Sequence, residues 1–391
     1  MVAVVGPRQS GKTTLVRQIA QVGGRPFVTL DDEISRRFAI DDPTGFLRAF
    51  PSAAIDEIQR SPDLILALKR TVDDDPRPGR YIVTGSVDLF RRAISPDTLA
   101  GRVESVTLLP FSQAEIEVST VPTFLHRAYL GDFPRFAVLG PTSTLVERVL
   151  TGVYPEAVAR PIAARRGAWL RSYARVMARR DVADAFRVSK RDQMARLVRR
   201  AAFSSGGLLN FSRIGSELGI NAKTVDRWLV LLEHLFLLRR VDAWHRNDLK
   251  RLVKTPRLHF LDSGLLAVLR RVGAPAIKRD RTKIGPLLEC FVYSELVKLV
   301  DLAEEDIQVS HYRDKDGFEV DFVLERADGK TVGIEVKGSA TARPAHCRGL
   351  TRLKAACADR FACGILLHDG ERVQQIAPRV FVMPFKMLWE S

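Results

Sequence analysis

A chain of 391 residues is long enough for two or three domains with cores of their own. Its hydrophobic content of 46% is ordinary for a globular protein, and no run approaches the roughly 18 apolar residues of a spanning helix, so no membrane partner is expected. The net charge of +15 is concentrated: between Thr151 and Glu289 there are 29 Lys plus Arg against 12 Asp plus Glu, which makes the middle of the chain the expected footprint of a polyanion. Cys290, Cys347, Cys357 and Cys363 show no C-x-x-C spacing and read as reduced thiols. The N-terminus lacks a charged region followed by an apolar core, so no secretory signal is expected and the location is read as cytoplasmic.

The first stretch is Val2 to Thr14, VAVVGPRQSGKTT. A short apolar strand leads into Gly6, Pro7, Arg8, Gln9, Ser10, Gly11, Lys12 and Thr13, which fit G-x-x-x-x-G-K-[ST]. Glycines let such a loop curl so that backbone N–H groups cradle a polyphosphate, and the following helix aims its positive end at the same anion. Lys12 is expected to reach the β- and γ-phosphates, the Thr13 hydroxyl to ligate Mg2+, and Thr14 to complete the binding loop. Leu15, Ile19 and Ala20 are expected to form the buried face of that helix.

Strands and helices then alternate. Pro26 to Leu30 reads as a second strand, and Ile34 to Phe50 as a helix interrupted at Asp41–Asp42–Pro43. Ala53–Ala54–Ile55–Asp56–Glu57 is a short strand ending in two acids. Pro62 to Val72 has helical spacing, Arg80 to Thr84 is a fourth strand, and Val103 to Leu109 a fifth. Such alternation predicts a parallel sheet covered on both faces, with ligands at the carboxyl ends of the strands. Asp56 is then placed to hold the Mg2+ shell, Glu57 to orient or deprotonate a water, and Ser86 to sense the γ-phosphate. Arg102 is either a stabiliser of transition-state charge, in its own or a neighbouring subunit, or a surface arginine.

With Thr84–Gly85–Ser86, Ala100–Gly101–Arg102 and Leu109–Pro110–Phe111–Ser112 added, the chain resembles the bacterial and archaeal AAA-type ATP-binding proteins that carry a conserved C-terminal domain of unknown function. The resemblance covers nearly the whole chain. It implies an α/β P-loop AAA-type ATPase domain over 1–120, a helical lid or linker over 121–200, a winged-helix domain over 201–283 and a restriction-endonuclease-like α/β domain over 284–391. A homo-oligomer is compatible with such a core. Relatives usually carry some tens of residues before the first strand that help form the base pocket. Here the strand starts at Val2, so either the true start lies upstream or base recognition is weakened.

Further along, Thr151 to Glu156 reads as a turn, and Trp169 to Val182 as a helix. Trp169, Tyr173, Val176 and Met177 fall on one face of it, and Arg171, Arg175, Arg179 and Arg180 largely on another. Phe211 to Leu218, Gly219 and Asn221 to Leu238 have the form of a helix-turn-helix, with Asn221 as cap and Lys223, Thr224 and Arg227 projecting as candidate nucleic-acid contacts. Thr255 to Leu266 reads as a strand and turn suited to a wing. The last part holds an amphipathic helix from Gly285 to Val300 with Glu289, then strands at 307–313, 318–326 and 332–337. A helix from Arg348 to Ala358 and a strand from Gly364 to Leu367 follow. Asp321 and Glu335–x–Lys337 resemble the catalytic core of the restriction-endonuclease-like superfamily. Asp321, Glu335 and Glu289 would hold Mg2+, a cation that prefers oxygen ligands, and Lys337 would position the attacking water.

The expected whole is a Mg2+-dependent ATPase whose ATP cycle controls DNA binding, with cleavage as a candidate output, and with no small-molecule substrate besides nucleotide. The alternatives are a non-cleaving ATP-dependent DNA-binding switch, or a signalling or scaffold ATPase that binds RNA or an acidic protein.

Overall fold

The computed structural model describes residues 1–85, 101–139, 145–177, 191–246 and 254–390. Ser86, Arg179 and Arg180, named above, lie outside the described residues. The chain divides into two compact units, Met1–Pro110 with His234–Phe236, and Phe111–Glu233 with Leu237–Ser391.

In the first unit small and β-branched residues build β1 (Val2–Val5), β2 (Phe27–Thr29), β3 (Ala53–Asp56), β4 (Tyr81–Thr84) and β5 (Glu104–Thr107). Between them lie α1 (Lys12–Val22), α2 (Glu33–Asp41), α3 (Pro43–Ala49) and α4 (Pro62–Asp74). The strands form a sheet in the order β2-β3-β4-β1-β5, with every pairing parallel. Side chains alternate across it with period two. Ala3, Ala53, Ile55, Tyr81 and Val83 join Phe46, Leu64 and Leu68 in one core. Val4, Ala54 and Ile82 face the opposite side, with Val16 and Ala20 of α1. Burial on both faces explains why β1, β3 and β4 read as nearly unbroken apolar runs, while the edge strand β5 stays largely exposed.

Three local expectations shift. The fifth strand is shorter than Val103 to Leu109. The interruption at Asp42 is a helix boundary, where the Asp42 carboxylate accepts the Gly45 N–H at 2.8 Å and caps α3. The buried face of α1 is Lys12, Val16 and Ala20, while Ile19 is 43% exposed. Lys12 itself turns inward, and the i, i+4, i+8 row that starts from it meets the sheet.

In the second unit the last 110 residues supply six strands, and Phe136–Val138 the seventh, of a seven-stranded mixed sheet. Its order is β6 (Phe136–Val138), β13 (Arg372–Ala377), β14 (Val380–Pro384), β12 (Phe361–His368), β11 (Thr331–Lys337), β10 (Glu319–Arg326) and β9 (Ile307–Arg313). β9, β10 and β11 are antiparallel neighbours, while β11, β12 and β14 run parallel. The helix Gly285–Leu302 is not amphipathic as expected but buried nearly all round. Two of its polar groups pair with each other and with nearby backbone: Lys298 Nζ donates to Glu295 at 2.9 Å and to the Phe111 carbonyl at 2.7 Å, and Glu295 accepts the Gln113 N–H at 2.9 Å. All four cysteines are free and buried.

The middle of the chain adds further helices and a hairpin. Arg191–Ser204, Phe211–Leu218 and Ala222–His234 are followed by β7 (Leu238–Val241), antiparallel to β8 (Arg257–Phe260). The Phe211–Leu218 helix ends on Gly219 at φ 67, and the Asn221 carboxamide caps the next, accepting the Thr224 N–H at 2.7 Å. That helix stops at His234 rather than reaching Leu238. Phe236 adopts φ 56, and Leu238 already belongs to β7. After β8, Asp262 caps a helix, Ser263–Arg270, where only a turn was expected. Asp262 also accepts the Val153 N–H at 2.7 Å, so it ties the turn at Thr151–Glu156 to this helix. In the helix Ala163–Val176 and the residue after it, Tyr173 and Met177 are buried, Trp169 is half-buried and Val176 is 41% exposed. Among the described residues no helix is long and apolar enough to cross a membrane.

Candidate nucleotide and cation sites

In the first unit β1, in mid-sheet, delivers Gly6–Thr13 to the carboxyl edge, where β3 and β4 also end. Gly6 has φ 149 and Gly11 φ 99, while Gln9 adopts φ 65, so the loop makes its turn through positive φ at three positions. Lys12 is 5% exposed and lies back along the loop, donating to the carbonyls of Gly6 at 3.0 Å and Pro7 at 2.7 Å. Burial lowers its pKa to about 8, against the pull of the Glu57 and Asp56 carboxylates. The Ser10 hydroxyl is buried without a hydrogen-bond partner.

Asp56 gathers three hydroxyls. Thr13 Oγ1 donates to it at 3.1 Å, Thr29 Oγ1 at 3.3 Å, and Thr84 Oγ1 also donates. Glu57 is held at φ 58, with its N–H donating to Thr84 Oγ1 at 3.0 Å. Burial raises the Glu57 pKa, and Asp56 beside it adds to the rise. The two strand-end acids therefore differ in environment: Asp56 accepts from three hydroxyl donors, and Glu57 is made a stronger proton acceptor by its burial. Thr29 is a member of this site that the motif did not indicate. Arg102 is engaged by Asp73, at the end of α4. Arg8 and Thr14 are exposed on the loop and first helical turn.

In the second unit the register that pairs Phe322 with Ile334 sets Asp321 across from Glu335 on neighbouring antiparallel strands. Asp321 Oδ2 accepts the Val336 N–H at 2.9 Å, and Lys337 Nζ donates to Glu335 Oε1 at 2.6 Å. Glu335 Oε2 is buried without a hydrogen-bond partner. Burial, and then the Asp321 charge, push the Glu335 and Glu289 carboxyls up to about 8. Burial opposes the charge on Lys337, but Glu335 and Asp321 outweigh it and raise its pKa. Carboxylate oxygens are the ligand type that a hard divalent cation takes. Among the described residues, however, no three acids, histidines or cysteines are grouped closely enough to hold a metal. A residue that the sequence reading did not single out also enters this cluster. Arg257 of β8 is 4% exposed; its Nη1 donates to Asp321 Oδ1 at 3.2 Å, and its Nη2 pairs with Glu319. Lys223 and Arg227 are exposed on the first turns of Ala222–His234, with Thr224 half-buried between them.

Residues 1–117 match the family model described as "AAA domain". Residues 142–276 and 284–388 match two domains of unknown function, DUF8612 and DUF4143. Uncharacterized proteins of Mycobacterium tuberculosis and Mycobacterium bovis are each 26% identical over 389 residues, which is 98% of this chain and 80% of theirs. A shikimate kinase of Acinetobacter baylyi is 33% identical over 95 residues, 22% of this chain and 52% of the kinase. Among solved structures, a complex of Thermococcus gammatolerans McrB AAA+ hexamers with bound McrC matches 48% of this chain and 46% of that one. Its identity is 14% and its TM-score 0.22, too low to bear on the fold. The chain thus carries an AAA domain at its N-terminal end and a DUF4143 domain at its C-terminal end.

Proposed function

We propose that this protein is a Mg2+-dependent ATPase whose nucleotide state controls a DNA-engaging second half. The observation that carries the reading is the meeting of Thr13 and Asp56 at 3.1 Å beside the inward-turned Lys12. The loop N–H groups hold the polyphosphate. Lys12 exchanges its two carbonyl acceptors for β- and γ-phosphate oxygens. The Thr13 hydroxyl and the Asp56 carboxylate would hold Mg2+, which would supply neutralisation of phosphate charge. Glu57 orients the attacking water and takes its proton, a role its raised pKa favours. Ser86 and Arg102 remain assigned as γ-phosphate sensor and transition-state partner. For Arg102 that role requires release from Asp73. Replacement Lys12→Ala tests the assignment. Loss of binding of a fluorescent ATP analogue and of phosphate release is expected; unchanged hydrolysis refutes it.

The charge surplus of the middle region and the exposed strip of Lys223 and Arg227 support DNA as the partner. In this reading 121–200 is a lid or linker, 201–283 a winged helix and 284–391 a restriction-endonuclease-like domain. Asp321, Glu335 and Glu289 would be the residues to hold a cation there, and Lys337 would position the water. A second reading, a switch that binds DNA without cutting it, is favoured by one observation: Asp321 is already paired with Arg257. Incubation with linear, supercoiled and branched DNA plus Mg2+ or Mn2+ separates them, because only the first gives products that Asp321→Asn abolishes.

A further inference from the structure

We propose that a cavity of about 330 Å3 among three helices of the middle region binds a nucleoside monophosphate. Four arginines line it: Arg171 and Arg175 from the helix Ala163–Val176, Arg199 from Arg191–Ser204, and Arg271 just after Ser263–Arg270. The rest of its lining is apolar, with Ala174 and Val198 buried. All four arginines are exposed, so the cavity opens to water. It belongs wholly to the second unit, and the proposal does not rest on the ATPase reading of the phosphate loop.

The charge pattern selects an anion. Arginines of the same helices that do not line the cavity have carboxylate partners: Arg166 pairs with Glu147, and Arg200 with Glu217. Among the described residues Arg171, Arg175, Arg199 and Arg271 pair with no carboxylate. Like charges around one hollow repel each other, and apolar walls focus their field on whatever enters. A phosphomonoester, with a charge of about −1.5 to −2 at neutral pH, relieves that repulsion. Guanidinium forks grip phosphate oxygens in pairs, and their flat faces stack on aromatic rings. The apolar lining takes the base, and the volume lies at the small end of the roughly 300–1,000 Å3 of small-molecule sites. A nucleic-acid backbone would instead meet basic side chains spread along a face, whereas these four gather around one cavity. Arg271 adds a second mark. It holds φ 58 at the position after the helix, where glycine is the usual occupant. An arginine kept there against backbone strain is accounted for by its place on the cavity wall.

The experiment is titration calorimetry of the full chain with AMP, GMP, CMP and UMP, and with a short single-stranded DNA of mixed sequence. The proteins are wild type, K12A, R175Q, R199Q and R271G, and circular dichroism checks the fold of each. At least one monophosphate is expected to bind, with an affinity that K12A leaves unchanged. R175Q and R199Q should each lower it by roughly tenfold or more, the scale of one charge-assisted hydrogen bond. R271G should weaken binding without lowering the unfolding temperature, because glycine accepts the positive φ that arginine bears under strain. Failure of all the monophosphates to bind overturns the proposal. So does binding that K12A abolishes and the arginine variants leave alone, which would put the ligand on the phosphate loop. DNA affinity that falls in R175Q and R199Q while no monophosphate binds also overturns it, and gives the arginines to a nucleic-acid interface.

Discussion

Gly6→Ala is the sharpest perturbation of the phosphate loop. Gly6 has φ +149, and a Cβ built on it would lie 2.2 Å from the Leu108 carbonyl oxygen and 3.1 Å from the Leu108 carbonyl carbon. That carbonyl cannot simply retreat, because the Leu108 N–H donates to the Val5 carbonyl at 2.8 Å, at the end of the β1–β5 ladder. Reaching ordinary contact distance needs a displacement of roughly 1 Å. Overpacking of this kind costs about 1–3 kcal/mol. The strained backbone conformation of a residue with a Cβ adds about 1–3 kcal/mol. The total, about 2–6 kcal/mol, is a large share of a typical domain stability of about 5–15 kcal/mol. The same shift moves the carbonyls that hold Lys12, and a misplacement of about 1 Å lowers hydrolysis by roughly a hundredfold.

Gly11→Ala is the control. Gly11 has φ +99, but its Cβ would meet nothing within 4 Å, so only the conformational part, about 1–3 kcal/mol, applies. Hydrogen exchange of peptides from β1 and β5, read beside phosphate release, measures both effects. If Gly6→Ala exchanges no faster than Gly11→Ala and hydrolyses ATP at the wild-type rate, the steric reasoning is wrong.

Two further outcomes are expected. His259 is fully buried between the rings of Tyr293 and Phe322, and burial lowers its pKa from 6.5 to about 3. Between those values the unfolded chain binds the proton on this residue and the folded chain does not, so the contribution of the neutral His259 is complete above pH 6.5 and is lost as pH falls toward 3, by up to about 1.4 kcal/mol per unit, while the raised Glu289 and Glu335 carboxyls act in the opposite direction. His259→Phe keeps the aromatic packing and should flatten that slope, with His311, lowered to about 4, retaining a share. Thermal unfolding across this window checks it, and an unchanged slope counts against the assignment. Arg227→Ala should weaken DNA binding to the same degree across unrelated sequences. It should also reduce the dependence of log K on log salt by about 1, as loss of one phosphate contact requires. A salt slope that does not move removes Arg227 from the interface.

The phosphate loop was legible because its chemistry is contiguous. Gly6, Gly11, Lys12 and Thr13 lie within eight residues, and the turn, the helix start and the ligands are all local consequences of that stretch. Strands β1, β3 and β4 were legible for a related reason, since burial on both faces leaves a continuous apolar signature. Where expectation slipped, packing had overridden local periodicity. Val16 replaced Leu15 and Ile19 on the sheet side of α1, because Lys12 turns inward and sets the buried row. The helix Gly285–Leu302 lost its expected polar face because segments around Phe111 and Phe260 cover it.

The sequence by itself determined the alternation of strand and helix, the phosphate loop, the acids at the end of β3, and the Asp321–Glu335–Lys337 spacing. These follow from hydrophobic period, turn chemistry and short-range motifs, which need no knowledge of distant neighbours. Only the tertiary structure decided which charges meet. It brought Thr29 and Thr84 to Asp56 across parallel strands. It also brought Arg257 to Asp321 across 64 positions of chain. Ion pairing is blind to sequence separation: a buried carboxylate takes whichever cation the packing of other segments places beside it.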